Sequence, residues 1–258
     1  MPDIEYEARD HVATITLNRP HRKNAFTTAM VDAWADALVA AGADEQVRAI
    51  VVTGAGGAFC SGVDLAEFKG APRSPAQEKS FLAGHVHRVA RAVEALDKPL
   101  IAAVDGAAVG AGMDMALMCD YRVGSPSARL AEAYIRIGLV PGDGGCWLLP
   151  RIVGRSRALR MLWTGEFVTA EEARALGILD EVAGDALARA REFAAQVAAQ
   201  PPLAVAMIKR AVRQGAHQDL LAALDLVSSH FGVLSATADA AEAYDAFITH
   251  RTPRFTGE

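Results

Sequence analysis

Alternation and helical spacing of apolar positions divide the chain into successive elements. Val12 to Leu17 alternates apolar and polar side chains, the period of a half-buried strand, until Asn18-Arg19-Pro20 interrupts it. Thr27 to Ala41 repeats its apolar positions near every 3.6 residues and predicts a helix. Val47 to Thr53 is a short apolar run that predicts a strand, with a loop over Gly54 to Gly62 behind it. Phe81 to Leu96 predicts a helix, Pro99 to Val104 a strand, Met113 to Cys119 a helix and Tyr121 to Gly124 a strand. Strands and helices recurring in this order predict an α/β fold.

The pattern then changes. Ala128 to Pro150 is mixed, and Pro141-Gly142-Asp143-Gly144-Gly145 makes it a poor helix and a candidate active-site loop. Beyond Ser156 almost everything reads as helix: Arg157 to Leu162, Ala170 to Leu176 ended by Gly177, Ala186 to Ala199, Leu203 to Gln214, Gln218 to His230 and Ala240 to Thr249. Proline is excluded from helix interiors, so Gln200-Pro201-Pro202 is the expected boundary between an α/β core over 1–200 and a helical segment over 201–258. That segment carries apolar positions at Leu220, Leu221, Leu224 and Val227, which point to a homo-oligomer, and it is expected to close over the pocket as well. A loop over Pro72 to Ser80 is expected to share in shaping that pocket.

Composition narrows the function classes. At 258 residues, 52% hydrophobic and 22% charged, the chain can bury a sizeable core. A net charge of -5 leaves no footprint for nucleic acid, and no basic cluster suits a membrane surface. The first residues carry acids and alternate, unlike a signal peptide, so a cytoplasmic location is expected. Asp105, Asp114, Asp120 and several glycines interrupt the apolar stretch Pro99 to Val123, so no transmembrane span is expected there. Cys60, Cys119 and Cys146 are too scattered for a zinc site or a disulfide framework and read as small buried hydrophobes. His85 and His87 fall on different faces of one helix, which disfavours a shared metal, and no metal site is expected.

Several common motifs fail on inspection. Gly54-Ala55-Gly56-Gly57-Ala58-Phe59 follows a strand, but Phe59 occupies the third glycine position of a dinucleotide fingerprint. No Walker lysine follows a glycine run, and Ser61 lacks the glycine two residues earlier that a nucleophile elbow requires. Two glycine turns remain, Gly54 to Leu65 and the one ending at Gly110-Ala111-Gly112. Their backbone amides could converge on one oxygen atom, with the carboxyl of Asp114 just behind the second.

With those turns in place the chain resembles the crotonase, or enoyl-CoA hydratase/isomerase, superfamily. The likeness runs nearly the whole length: LNRPHRKNAF, GAFCSGVDL, KPLIAAVDGAAVGAGMDMALMCD, IRIGLVPGDGG and FITHRTPRF, in the family's order and spacing. It implies a spiral of strand-strand-helix units with a C-terminal helical trimerisation segment, an acyl-CoA thioester substrate, and assembly as a trimer or a dimer of trimers. It maps the oxyanion-hole amides to Val63 and Ala111, beside Ser61 and Gly110. It makes Lys23, Asn24 and Ala25 part of the coenzyme A wall, with Asp64 and Leu65 near the pantetheine or adenine. No separate cofactor is implied, because coenzyme A is part of the substrate.

The acids depart from the family's pattern. Its hydratases use two glutamates, and the matching positions here hold Asp114 and Tyr134, so one acid is shortened and the other replaced. An aspartate at the first position also resembles the dienoyl-CoA isomerase branch. Asp143 is the candidate second acid, and Glu132 would share a face with Tyr134 on an extended segment but not on a helix. A phenol is a poor base at neutral pH, and burial is expected to raise the pKa of Asp114. Three functions follow: an enoyl-CoA hydratase or isomerase with Asp114 as acid-base group, a weak or inactive acyl-CoA-binding trimer, and a thioester hydrolase with Ser61 as nucleophile.

Overall fold

The alternation at Val12–Leu17 becomes β2, paired antiparallel with β1 (Ile4–Arg9) and parallel with β3 (Ala49–Gly54). The computed structural model describes residues 2–68 and 73–258. β4 (Leu100–Val104), β6 (Tyr121–Gly124) and β9 (Glu181–Val182) extend this sheet in the order β1-β2-β3-β4-β6-β9. Parallel strands are covered on both faces, so their apolar residues divide by parity. Ile50, Val52, Leu100 and Ala102 face the main core with Phe26, and with Trp34 of α1 (Thr28–Ala43). Ala49, Val51, Ile101 and Ala103 face the other way, onto α8 (Ala186–Ala198), whose Ala186, Ala190, Ala194 and Ala198 form a small-residue stripe at helical spacing.

Gly106 turns the chain out of this sheet. Its φ is +55°, and a β-carbon there would stand 2.1 Å from the Gly57 carbonyl oxygen. The turn leads into β5 (Ala107–Val109), which joins β7 (Arg129–Ala131) and β8 (Val168–Thr169) in a second sheet. α4 (Ala111–Leu117) follows β5 at once, and all seven of its residues are buried. β1, β9 and the short second sheet are additions to the strands expected from the sequence; β5, β7, β8 and β9 have only two or three residues each, too few to carry a measurable period.

Two expected loops contain helices. Residues 75–80 belong to α2 (Pro75–Phe81), not to a loop. Ser74 and Gln77 cap it reciprocally and Pro75 is preset for its first turn; Pro72 lies outside the described residues. A π-helical turn, Leu82–Val86, connects α2 to α3 (His87–Ala95). Within 128–150, α5 (Gly145–Val153) begins at the last glycine of the expected active-site loop. α6 (Arg155–Thr164) and α7 (Ala170–Ala175) match expectation, with Thr169 and Glu172 forming a capping box at α7.

Pro201 and Pro202 separate α8 from α9 (Pro202–Gly215), and Pro202 itself opens the new helix. Lys209 on α9 bonds the Lys98 carbonyl at 2.9 Å and Asp120 at 2.6 Å, while Arg48 reaches the Phe255 carbonyl at 3.0 Å. α10 (Leu220–Leu234) has no buried residue, and α11 (Ala238–Thr249) meets it at a 78° bend. No single helix among the described residues is long and apolar enough to cross a membrane.

Candidate active site

The two glycine turns lie side by side. Cys60 pairs with Ala108 of β5, the Cys60 amide donating to the Ala107 carbonyl at 3.0 Å and the Val109 amide to the Cys60 carbonyl at 2.9 Å. Gly62, at φ +94°, lies so close that a β-carbon would meet the Val109 oxygen at 2.9 Å and the Ala111 nitrogen at 3.6 Å. Val63 follows Gly62, and Ala111 follows Gly110, at φ +54°. Among the described residues neither the Val63 nor the Ala111 amide donates to a backbone acceptor. Both N–H donors are thus unspent, on two turns that approach closely at Gly62, and such donors are the raw material of an oxyanion hole.

Tyr134 joins this pair to the acids. Its ring packs on Gly110, 3.6 Å from where a β-carbon would stand. Its hydroxyl contacts Asp114 Oδ2 at 3.1 Å and also Asp143 Oδ2. Asp114 is 0% exposed, Glu132 1% and Asp143 5%, so all three carboxyls are buried. Among the described residues, Asp114 Oδ1, both Glu132 oxygens and Asp143 Oδ1 have no hydrogen-bond partner. Burial drives the titrations. It pushes Asp114 up to about 7, eased by Glu132 and reinforced by the charge of Asp143. Glu132 is pushed up to about 10 by burial and then by the charge of Asp114. Asp143 and the Tyr134 phenol are also raised, burial first.

The acid-bearing loop is held from behind. His87 Nε2 bonds the Gly142 carbonyl at 2.8 Å, while His85 on the other face bonds Asp32, so the two imidazoles diverge as expected. Gly145 approaches Asp114 and Glu132 so closely that no side chain would fit. Neither His87 nor Gly145 is marked as a site residue by the sequence. The glycine pair at 144–145 was the available signal for the latter.

Residues expected on the coenzyme A wall divide into two kinds. Lys23 and Leu65 are exposed, whereas Asn24 is fully buried. The Asn24 amide donates to the Ala55 and Ala58 carbonyls at 2.9 and 2.6 Å, and its oxygen accepts from the Arg19 amide at 2.9 Å, so this side chain braces the first turn. Asp64 is held low by the Ala66 amide and then by Arg19, at 3.1 and 3.0 Å, and it too is a brace. Ala25 is buried, and its carbonyl accepts from Arg19. Ser61 Oγ donates to the Arg22 carbonyl at 3.2 Å, and no histidine among the described residues bonds it, which leaves it without the base a nucleophile needs. Cys60 and Cys119 are buried as expected, with thiols pushed up to about 12 by burial. Cys146 is exposed instead, because it sits on the outer side of the first turn of α5. No cluster that could hold a metal ion occurs among the described residues. A cavity of about 740 Å³ between α1, α3, α9 and the chain end is lined by none of the acids.

The family model described as enoyl-CoA hydratase/isomerase matches residues 7–258. The 1,2-epoxyphenylacetyl-CoA isomerase of Escherichia coli (strain K12) is 35% identical, covering 96% of this chain and 95% of its own. The 2,3-dehydroadipyl-CoA hydratase of the same organism is 36% identical over the full length of both chains, 100% of each. Among solved structures, the enoyl-CoA hydratase of Bacillus anthracis superposes with a TM-score of 0.93 at 31% identity, covering 100% of both chains.

Proposed function

Given that the chain belongs to the enoyl-CoA hydratase/isomerase family, and so acts on acyl-CoA thioesters, we propose that it moves a double bond along an enoyl-CoA by proton transfer, with Asp114 as the base. The thioester carbonyl accepts hydrogen bonds from the Val63 and Ala111 amides. Asp114 takes a proton from the carbon beside the carbonyl, and the C–H electron pair moves into a dienolate whose negative charge develops on the held oxygen. A proton is then returned at the far end of the dienolate. Each oxyanion donor contributes about 10² to 10³ in rate, and the positioned base about 10² to 10⁴.

One observation carries the choice of proton transfer over water addition. Two-acid hydration needs a water gripped between two carboxyls, and the Tyr134 hydroxyl lies between Asp114 and Asp143. The same bridge supports Asp143 as the second acid, in contact with Asp114 through the phenol. Lys23 and Leu65, both exposed, suit the coenzyme A wall, whereas Asn24 and Asp64 shape it from beneath. The exposed apolar side chains of α10 and α11 support assembly as a trimer or a hexamer.

The direct assay follows absorbance of the conjugated thioester when 3-enoyl-CoA is supplied. Appearance of 2-enoyl-CoA, lost in Asp114→Asn, supports the reading. Accumulation of a 3-hydroxyacyl-CoA from 2-enoyl-CoA, without interconversion of the two alkenes, supports hydration in its place.

A further inference from the structure

The acid pocket has more contacts than protons to fill them. Tyr134 has one hydroxyl proton, yet its oxygen is in hydrogen-bond contact with Asp114 Oδ2 and with Asp143 Oδ2. That proton satisfies one carboxyl. The other contact is favourable only when its carboxyl is itself protonated and donates to the phenol oxygen. On the far side of Asp114, Oδ1 has no donor among the described residues, and neither oxygen of the buried Glu132 has one there. Asp114 Oδ1 and Glu132 Oε1 flank the same point, since a β-carbon on Gly145 would meet them at 2.2 and 2.9 Å. Carboxyl oxygens brought together in a buried site repel when both groups are ionised and bond when one proton lies between them.

We propose that the cluster holds two protons besides the phenol's and one negative charge, in the order Asp143 acid, Tyr134 hydroxyl, Asp114 carboxylate, Glu132 acid. Asp143 donates to Tyr134, Tyr134 to Asp114 Oδ2, and Glu132 to Asp114 Oδ1, so every donor meets one acceptor. Glu132 is then a positioning residue: its proton holds the Asp114 carboxylate in place and leaves that group as the single charged member. The inference rests on the function proposed above only for the task given to Asp114.

The surroundings agree. No lysine or arginine among the described residues pairs with any of the three acids. Cys146, on α5, adds to the cost of ionising Glu132, whose own titration is displaced to about 10.

The test uses the resting protein without substrate. Infrared spectra at pH 8 should contain carbonyl absorption of two protonated carboxylic acids. Glu132→Gln should remove one band and Asp143→Asn the other, and the glutamine amide can donate in the glutamate's place. Wild-type protein titrated alone decides the matter if a variant fails to fold, because the Glu132 band should persist at pH 8 and vanish as the pH passes about 10. Absence of acid absorption at pH 8, or a spectrum unchanged by Glu132→Gln in folded protein, overturns the proposal. Turnover plays no part in this measurement, so its failure is distinct from failure of the isomerase reading.

Discussion

Gly145 and Asp114 meet where α5 packs on α4, and a β-carbon on Gly145 would stand 2.2 Å from Asp114 Oδ1. Gly145 is helical, so its backbone would accept alanine and only the space is missing. Gly145→Ala should therefore keep secondary structure while wedging Asp114 away from Glu132. The expected loss is about 10²-fold in kcat, the lower end of what a positioned acid-base group supplies, with overpacking costing about 1–3 kcal/mol. Steady-state kinetics and urea unfolding measure both; unchanged kcat would mean that the Asp114–Glu132 approach has no part in turnover.

Stability should fall as the pH rises. Asp114 ionises near 3.8 when unexposed to the fold's influence and near 7 within it, so the folded chain binds more protons between those values. Its contribution is whole below the lower value and is lost as the pH passes the higher one. Glu132 extends the loss, from 4.5 to about 10. Urea midpoints for wild type should drop between about pH 5 and pH 8, and Asp114→Asn should flatten that drop. A wild-type midpoint that climbs over the same range would contradict the burial of these acids.

Much of the frame was legible because its periods are long. Val12 to Leu17, Thr27 to Ala41 and Tyr121 to Gly124 appear as strand, helix and strand within a few residues of expectation. The facing glycine turns were also legible, since their glycines announce backbone approaches that side chains would block. The acid pocket was only half visible. Glu132 is neither in β7 nor in the 3-10 turn after it but at the junction, with φ -84° and ψ 75°, so neither the strand rule nor the helix rule said which way it would point. Asn24 looked like a ligand contact because sequence does not report that its amide is consumed by Ala55, Ala58 and Arg19. Cys146 looked buried because cysteine usually is, but it sits on the outer side of α5.

α10 and α11 leave Leu221, Phe231, Phe247 and Ile248 exposed, a concentration of large apolar side chains that marks an association surface. Sedimentation should find an oligomer in wild type, and Leu221→Asp with Phe247→Asp should shift it to monomer without loss of helical circular dichroism. A wild-type chain that sediments as a monomer at micromolar concentration would exclude the assembly.

Proton transfer through Asp114 leaves an isotopic trace that mass spectrometry in deuterium oxide reads. Wild-type protein incubated with 2-enoyl-CoA and 3-enoyl-CoA thioesters should incorporate deuterium into the acyl chain without adding water, and Asp114→Asn should abolish the label. A product heavier by a whole deuterium oxide, or label that persists undiminished in Asp114→Asn, would contradict the account.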